Sequence, residues 1–288
     1  MKLKVFSCSI HGTTDALRCN TCSDYRSKGE IQELLKANEA NREKQKGLRG
    51  VVWSYGVTTV PSRRKSLLPL TLRSLREGGF PNPHLFVDGD PDGRGWEQEF
   101  GLTVTCRSPR VRTHGNWVLS FYELFVREPN AQRFAVFQDD FVCYRNLRQY
   151  LEKCSYPERG YWNLYTFPEN ESTAPLASLG DRDPGVGFFP SNQKGRGAVA
   201  LVFSREALLV LLAQEHMLHR PLDCHRGWRA VDGGIVTAMG KAGWKEYVHY
   251  PSLVQHTGRE SSMNNPEHLQ SRSFRGGGYD ALDLLEKK

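Results

Sequence analysis

The sequence lacks any long hydrophobic run. None of its 288 residues belongs to a stretch near the roughly 20 consecutive apolar residues that a membrane-spanning helix needs. The opening MKLKVFSCSIHG has a short basic flank but no apolar stretch of signal-peptide length. We therefore expect a cytoplasmic protein with no membrane partner.

The sequence also lacks an even number of cysteines, which complete pairing in disulfides would require. Seven cysteines are present, three of them within the first 22 residues. In a chain without an export signal, an odd number predicts reduced thiols rather than a disulfide framework. The P-loop and dinucleotide-binding fingerprints are missing too, so the glycine-rich basic loop SNQKGRGAVALVF (residues 191–203) does not by itself indicate a phosphate site.

Positive charge is in excess. Lys and Arg number 39 against 32 Asp and Glu, which gives a net charge of +7 and a sequence pI near 9.0. Such a surface attracts polyanions or phosphorylated ligands over a Debye length. Solubility alone is the alternative interpretation of the same excess.

Composition divides the chain into three segments. Residues 1–28 are dense in Cys, His and turn formers, residues 29–48 are polar and predict a helical connector, and residues 49–288 form the main domain. In the main domain, predicted strands (51–57, 84–90, 102–106, 134–140, 161–167, 197–203) alternate with predicted helices (66–79, 116–128, 147–154, 204–216). Alternation predicts an α/β fold with a mostly parallel central sheet flanked by helices.

The stretch FQDD (residues 137–140) ends an apolar run with two adjacent carboxylates, Asp139 and Asp140. A helix cap is the simpler explanation, but a cap needs one acidic residue. Ligands bind beyond the carboxyl ends of strands in such sheets, where Asp88 and Asp90 end an earlier strand. Two carboxylates there favour a divalent ion that bridges protein and phosphate oxygens.

The stretch DGDPDGRGWEQE (residues 88–99) matches the spacing of a calcium-binding loop. That loop needs a helix on its entering side, whereas the preceding HLFV predicts a strand. An edge of the sheet at which Asp88 or Asp90 binds a ligand is therefore the favoured interpretation, and plain turn chemistry from Gly89 onward is the alternative.

Four residues near the start of the chain have metal-ligand spacing. Cys8 and His11 are separated by two residues, as are Cys19 and Cys22. Two such pairs supply four ligands for a tetrahedral structural Zn²⁺ in a small zinc-knuckle-like head, while chance clustering of soft residues is the alternative.

Two further residues have simple explanations on spacing alone. His256 follows a short apolar strand, where a lone histidine is usually a surface or hydrogen-bonding residue. Asp232 precedes two glycines and a predicted helix, so it could be an ordinary N-cap.

Six segments, taken in order, resemble a GT-A-type glycosyltransferase. They are TTVPSR (58–63), LFVDG (85–89), FQDD (137–140), NQKGRGAVALVFS (192–204), VDGG (231–234) and PSLVQHTGRESS (251–262). The last resembles the PSL-x-QH-x-G-x-x-SS signature of N-acetylglucosaminyltransferases that branch animal N-glycans, and FQDD resembles their E-D-D. The resemblance covers about residues 50–262 and implies a GT-A-like sheet and a metal-dependent, nucleotide-sugar-using enzyme.

For the metal, the resemblance implies that Asp140 and His256 hold Mn²⁺ or Mg²⁺. Asp139 would contact the sugar or ribose of the donor, which we expect to be a UDP-sugar. Asp232 would be the base that deprotonates the acceptor hydroxyl in an inverting displacement. Gln138 stands where the resembled family has an acid, which leaves the donor contacts and the metal affinity open.

For the nucleotide, the resemblance implies that the loop after the first strand of the domain holds it through Thr59, Val60 and Arg63. Asp88 would lie near the ribose or base.

The acceptor is a separate question, because a fold and its donor site do not determine it. The chain also resembles glycosyltransferases of phage and bacterial genomes, which suggests hydroxymethylated cytosine in double-stranded DNA, extruded from the duplex for reaction. The net charge, the zinc-like head and clustered basic residues favour nucleic acid. These basic residues are Arg63, Arg64, Lys65, Arg107, Arg110 and Arg112.

Two alternatives stay open. A glycosyltransferase acting on a glycan or polysaccharide would share the core without DNA affinity. A non-catalytic nucleic-acid-binding protein would use the zinc-like head and the basic surface, with the acidic residues purely structural.

Overall fold

The structure is a computed structural model that describes residues 5–8, 12–15, 50–172, 185–218, 231–258 and 269–286. The chain divides into two compact units, Met1–Val51 and Val52–Lys288. In the first unit, β1 (Val5–Cys8) and β2 (Gly12–Asp15) form an antiparallel hairpin in which Cys8 pairs with Gly12. The predicted connector at 29–48 and the side chains of the four predicted zinc ligands lie outside the described residues.

The second unit contains an eight-stranded sheet. Its strands in chain order are β3 (Trp53–Thr59), β4 (His84–Asp88), β5 (Val104–Arg107), β6 (Arg133–Gln138), β8 (Gly160–Asn163), β9 (Gly187–Pro190), β10 (Ala200–Ser204) and β11 (Lys245–Tyr250). Their order across the sheet is β5-β4-β3-β6-β10-β8-β11-β9. The strands β5, β4, β3 and β6 are parallel neighbours, as are β8 and β11, while β10 and β9 run against their neighbours. The predicted α/β fold with a large central sheet is confirmed, but the sheet is mixed, with four parallel and three antiparallel pairings among the described strands.

Helices flank this sheet. They are Leu67–Glu77, Gly93–Phe100, Arg112–Arg127, Leu147–Lys153, Pro168–Glu171, Arg205–Leu212, Glu215–Leu218 and Val231–Lys241, with short 3-10 turns at Pro61–Arg63 and Ala281–Leu284. The amphipathic helix Arg112–Arg127 buries Trp117, Phe121 and Leu124 in the core. Each such side chain contributes about 1.5–3 kcal/mol through burial, which fixes the helix against the sheet.

A second, two-stranded sheet carries part of the site. The strands β7 (Phe141–Cys143) and β12 (Val254–His256) pair antiparallel, with His256 opposite Phe141. The helix Leu67–Glu77 supports β7 through Thr71, whose hydroxyl donates to the carbonyl of Phe141 at 2.9 Å and accepts from its amide at 3.2 Å. The small sheet is therefore anchored where β6 ends.

The calcium-like stretch forms a turn, as the alternative of turn chemistry has it, followed by a capped helix that the sequence analysis did not predict. Asp92 accepts from the Gly95 amide at 3.0 Å and caps the helix Gly93–Phe100. Asp90 accepts from the Trp96 indole nitrogen at 2.9 Å. The acidic side chains of this stretch are therefore used to build the turn and the helix start.

None of the helices in the described part of the chain has the length and apolarity required to traverse a lipid bilayer.

Candidate active site

The two carboxylates of FQDD lie at the carboxyl end of β6, between the large and the small sheet. The neighbouring strand β3 runs parallel to β6, with Thr58 paired to Gln138, so the two strands end together. The Thr59 hydroxyl consequently reaches Asp139 Oδ2 at 2.5 Å. Asp139 and Asp140 are each only 2% exposed. Two buried like charges require compensation by donors or cations.

Arg63 supplies much of that compensation. This residue ends the short turn Pro61–Arg63 that follows β3. Its Nη1 atom lies 2.5 Å from Asp139 Oδ1 and 2.8 Å from Asp140 Oδ2. One guanidinium nitrogen therefore bridges the two carboxylates.

The pairing of β7 with β12 brings His256 beside Asp140. Its Nε2 lies 3.3 Å from Asp140 Oδ2, and the Thr257 amide donates to the Asp140 carbonyl at 2.8 Å. Gly258 is required for this approach, because a Cβ there would lie 2.9 Å from His256 Cε1 and 3.4 Å from Asp140 Oδ2. The pattern QHTG thus has a steric reason for its glycine.

The two carboxylates differ in acidity. Burial raises the pKa of Asp139, with a further increase from Asp140, while Arg63 and Thr59 oppose the shift. Burial acts in the same direction on Asp140, but its hydrogen bond to His256 and the charge of Arg63 hold its pKa below the usual value. The two carboxylates in turn raise the pKa of Arg63 against the effect of burial. Asp140 is accordingly the carboxylate that stays ionised most readily.

The chemistry of Asp140 and His256 fits a divalent ion. A carboxylate oxygen and an imidazole nitrogen are ordinary ligands of Mn²⁺, and Mg²⁺ accepts one or two carboxylates plus phosphate oxygens. Asp140 Oδ1 is buried and has no hydrogen-bond partner among the described residues. Within the same residues, no group of three or more His, Cys, Asp or Glu is arranged to hold a metal ion. A bound ion would therefore depend on two protein ligands and on substrate oxygens.

Gln138 connects the carboxylate pair to Asp232. Its amide nitrogen donates to the Ala198 carbonyl at 3.0 Å, and the adjacent Gly197 amide donates to Asp232 Oδ2 at 2.7 Å. A carboxylate at position 138 has no proton to give to Ala198 when ionised. Gln138 therefore fixes the loop that holds Asp232.

Asp232 lies in the first turn of the helix Val231–Lys241 and is partly buried. Burial raises the pKa of its carboxyl group, although hydrogen bonds from backbone amides, that of Gly197 first, oppose the shift. A raised pKa makes a carboxylate a stronger base, as proton abstraction requires.

Asp88 and Val60 have structural contacts of their own. Asp88 Oδ1 accepts from the Val111 amide at 2.7 Å, and Oδ2 lies 3.4 Å from Arg110 Nε. Val60 precedes the Pro61–Arg63 turn and accepts from the Arg63 amide at 3.0 Å. Asp88 thus holds the chain segment that follows β5, while Val60 helps to shape the turn that presents Arg63.

Glu246 is a buried carboxyl that sequence reasoning missed. It lies on β11 and is 2% exposed, with Oε1 3.2 Å from the Asn163 amide nitrogen and 3.3 Å from the Tyr161 hydroxyl. Burial raises its pKa to about 6, and the charge of Asp232 adds to the shift. The stretch KEYVHY has no clear alternation of apolar and polar residues, so nothing in it signalled an inward-facing acid.

Most of the basic residues that favoured nucleic acid form ion pairs within the protein. Arg63 pairs with Asp139 and Asp140 as described above. The other three pairs are Arg64 with Glu99 (2.6 Å), Arg107 with Glu123 (2.7 Å) and Arg110 with Asp88 (3.4 Å). Arg64 also stacks over the Trp96 ring, 4.4 Å from its centroid. These four side chains are thus already paired with acidic groups of the protein, so a DNA phosphate would have to compete with those groups.

Solved structures give only loose overlays on this chain. One is a crystal structure of GalNAc-T7 with UDP, GalNAc and Mn²⁺, at a TM-score of 0.47 and 12% identity over 72% of this chain and 44% of that chain. Another is mannose-1-phosphate geranyltransferase from Thermus thermophilus, at a TM-score of 0.40 and 16% identity over 68% of this chain and 73% of that chain. A third is A197 from STIV, at a TM-score of 0.37 and 13% identity over 70% of this chain and 85% of that chain.

No protein-family model matches the chain, and the search of curated proteins finds no match either. The chain spans less than half the length of the GalNAc-T7 protein.

Proposed function

We propose that the chain is a metal-dependent GT-A-type glycosyltransferase that moves a sugar from a nucleotide-sugar, a UDP-sugar first of all, to a hydroxyl acceptor. The observation that carries the proposal is the meeting of Asp140 and His256, 3.3 Å apart, at the carboxyl end of β6. The two residues are more than a hundred positions apart in the sequence. Asp140 Oδ1, which is buried and has no hydrogen-bond partner in the part of the chain that the structure describes, adds an oxygen suited to a hard cation.

In this proposal Asp140 and His256 hold Mn²⁺ or Mg²⁺. The ion, when bound, supplies Lewis-acid stabilisation of the charge that develops on the diphosphate leaving group. Thr59 and Arg63 hold Asp139 in place and oppose the rise that burial causes in its pKa, and Asp139 contacts the sugar or ribose of the donor. The turn at Val60 and the carboxylate of Asp88 border the nucleotide.

Asp232 is the proposed general base. The Gly197 amide fixes its Oδ2 atom at 2.7 Å, which orients the carboxylate, and burial makes it more basic. Asp232 would accept the hydroxyl proton of the acceptor while that oxygen attacks the anomeric carbon from the side opposite the leaving group. The transfer would then invert the configuration of the sugar.

The acceptor we propose is 5-hydroxymethylcytosine in double-stranded DNA. Support comes from the net charge of +7, which attracts a polyanion. The target base would have to be extruded from the duplex before its hydroxyl could reach a buried site. The ion pairs of Arg63, Arg64, Arg107 and Arg110 weaken the electrostatic part of this support. A glycan is therefore a necessary second acceptor in any test.

A structural Zn²⁺ at Cys8, His11, Cys19 and Cys22 is a further part of the proposal. The pairing of β1 with β2 supports it, because Cys8 ends β1 and pairs with Gly12, the residue that follows His11 in the sequence. Tight turns with paired ligands are typical of small zinc sites.

The test measures sugar transfer by mass spectrometry with a panel of UDP-sugars and Mn²⁺. Acceptors are hydroxymethylcytosine duplex, unmodified duplex and a glycan mixture. We expect a hexose-sized mass gain on the modified duplex alone, abolished by EDTA and lowered about 100-fold or more by Asp140→Asn, since several kcal/mol of charge stabilisation would be lost.

The control is Glu97→Gln, on the exposed face of the helix Gly93–Phe100, which should keep wild-type transfer. Transfer to the glycan alone would contradict the proposed DNA acceptor but would support the proposed glycosyltransferase activity. Absence of donor turnover under every condition would favour the non-catalytic binding protein, and full turnover by Asp140→Asn would contradict the metal role of that residue.

A further inference from the structure

Arg63 occupies the position in which positive charge is needed between Asp139 and Asp140. Both ion pairs are made by the same atom, Nη1, at 2.5 and 2.8 Å. The Arg63 side chain is 16% exposed and each carboxylate side chain is 3% exposed, so solvent screens these charges little. The pair of carboxylates is therefore compensated from within the protein.

One oxygen atom of Asp140 lies close to two positively charged or chargeable groups. Asp140 Oδ2 lies 2.8 Å from Arg63 Nη1 and 3.3 Å from His256 Nε2. A divalent ion held by Asp140 and His256 would face the same carboxylate that Arg63 now binds. Two cationic groups on one shielded carboxylate repel each other strongly, because the interaction is little screened.

Arg63 has an alternative partner in the proposed reaction. A guanidinium binds phosphate oxygens through two parallel hydrogen bonds, and the turn that carries Arg63 directly follows β3 at the same edge of the sheet. A diphosphate beside the carboxylates would supply negatively charged oxygens. Arg63 could bind these oxygens once the ion is bound to Asp140.

We propose that Arg63 is an exchangeable counter-ion of the carboxylate pair. It holds Asp139 and Asp140 before substrate arrives, and it releases Asp140 to bind the donor diphosphate when the divalent ion and the nucleotide enter together. This inference rests on the proposed function, and it adds a dependence of metal binding on nucleotide binding.

The exchange of Arg63 between Asp140 and the diphosphate has a thermodynamic consequence. The ion alone has to share the Asp140 carboxylate with the charge of Arg63, which has no new partner to move to, so the ion binds weakly. The ion with a nucleoside diphosphate gives Arg63 a new partner and binds tightly. Ion and nucleotide therefore bind cooperatively, with a coupling of about 5- to 150-fold, the usual range for linked sites.

The experiment measures Mn²⁺ binding to the full chain by electron paramagnetic resonance, without nucleotide and with saturating UDP. We expect Arg63→Gln to bind Mn²⁺ alone about tenfold tighter or more, and to lose most of the gain that UDP gives to the wild type. Arg63→Lys keeps a positive charge and should bind Mn²⁺ alone as weakly as the wild type. It should show reduced UDP coupling, since an ammonium lacks the fork that matches phosphate.

Arg64→Gln is the matched control. Arg64 is the next residue but pairs with Glu99 at 2.6 Å, so its loss should leave Mn²⁺ affinity unchanged. Asp140→Asn should lose Mn²⁺ binding with and without UDP. Should Arg63→Gln not fold, the reduced coupling of Arg63→Lys at unchanged affinity for Mn²⁺ alone decides the question.

The outcomes separate this inference from the proposed function. If Asp140→Asn loses Mn²⁺ while Arg63→Gln binds it no tighter than the wild type, the metal site stands and the exchange is wrong. If neither the wild type nor Arg63→Gln binds Mn²⁺, even with UDP, both the exchange and the metal-dependent function are wrong.

Discussion

Single residues decide whether two adjacent carboxylates can end a buried strand. Asp139 accepts a hydrogen bond from Thr59 and pairs with Arg63, and Asp140 pairs with Arg63 and lies beside His256. Breaking a buried ion pair leaves an uncompensated charge, which costs more than the pair itself contributes. The sequence shows that such compensation is required, and the sequence interpretation assigned it to a metal ion. The structure shows that Arg63 can provide it.

Glu246 is the second place where a single buried carboxyl has consequences. Its folded-state pKa of about 6 lies above the ordinary value of 4.5, with burial as the main cause. The folded chain therefore binds a proton more tightly than the unfolded chain. This contribution to stability is fully present below pH 4.5 and is lost as the pH rises through 6.

The corresponding prediction concerns Glu246→Gln, which removes this titration. The free energy of unfolding of the variant minus that of the wild type should rise by about 2 kcal/mol between about pH 4 and about pH 7, because one pKa unit corresponds to about 1.36 kcal/mol. Urea unfolding at several pH values measures it. Glu97→Gln, on an exposed helical position, supplies the baseline. A difference that stays flat with pH would show that Glu246 keeps its ordinary acidity in the folded protein.

At the scale of elements, the small sheet β7–β12 positions the site. It places His256 opposite Phe141, the residue that follows Asp140. The helix Leu67–Glu77 holds β7 through the buried Thr71, which both donates to and accepts from Phe141. A loss of this contact should loosen β7 and with it the Asp140–His256 approach.

Thr71→Val is the test of that support. Valine keeps the shape but leaves two buried backbone groups of Phe141 without the hydroxyl, so the free energy of unfolding should fall by about 1–3 kcal/mol. Mn²⁺ affinity measured with UDP should fall as well. Thr237→Val is the matched control, since its hydroxyl bonds the Gly233 carbonyl at an exposed helical position and should cost less than about 0.5 kcal/mol. Equal effects of the two variants would contradict the support role.

The sequence predicted the strongly patterned elements but not the pairing between them. The apolar runs of β3, β4, β6 and β10 and the amphipathic helix Arg112–Arg127 were predicted within a few residues. The strands β7, β9 and β11 were missed, because β7 and β9 are short and KEYVHY lacks a two-residue period. The position of His256 beside Asp140 depends on the β7–β12 register, and only the resemblance suggested it.

The candidate site shows the same division. The spacing of FQDD located the carboxylates, since their place at a strand end is a local property. Arg63 was expected to bind nucleotide and is found on both carboxylates. Glu246 gave no sequence signal. Contacts between distant segments depend on tertiary packing, which local patterns do not encode.

For the whole molecule, charge is distributed unevenly along the chain. Residues 1–49 contain ten Lys and Arg against six Asp and Glu, so this short segment contributes +4 of the net +7. The remaining 239 residues contribute the other +3, and several of their arginines are paired internally. Any salt-dependent affinity for DNA should accordingly depend more on the first unit than on the carboxylate site.

The proposed zinc site gives the first unit a property that can be measured without a substrate. Four ligands at Cys8, His11, Cys19 and Cys22 leave no open position, so zinc would stabilise the fold of that segment and take no part in transfer. We expect one zinc per full chain by elemental analysis and none in the double variant Cys19→Ser, Cys22→Ser.

Cys106→Ser is the control for this prediction, because Cys106 is a free cysteine on β5 and should not affect zinc content. The thermal transition of the unit Val52–Lys288 should keep its midpoint in the double variant, since that unit is compact on its own. Zinc retained by the double variant, or missing from the wild type, would refute the site. A lowered midpoint with zinc lost would show instead that the metal stabilises the larger unit, which would give the first unit a structural role throughout the chain.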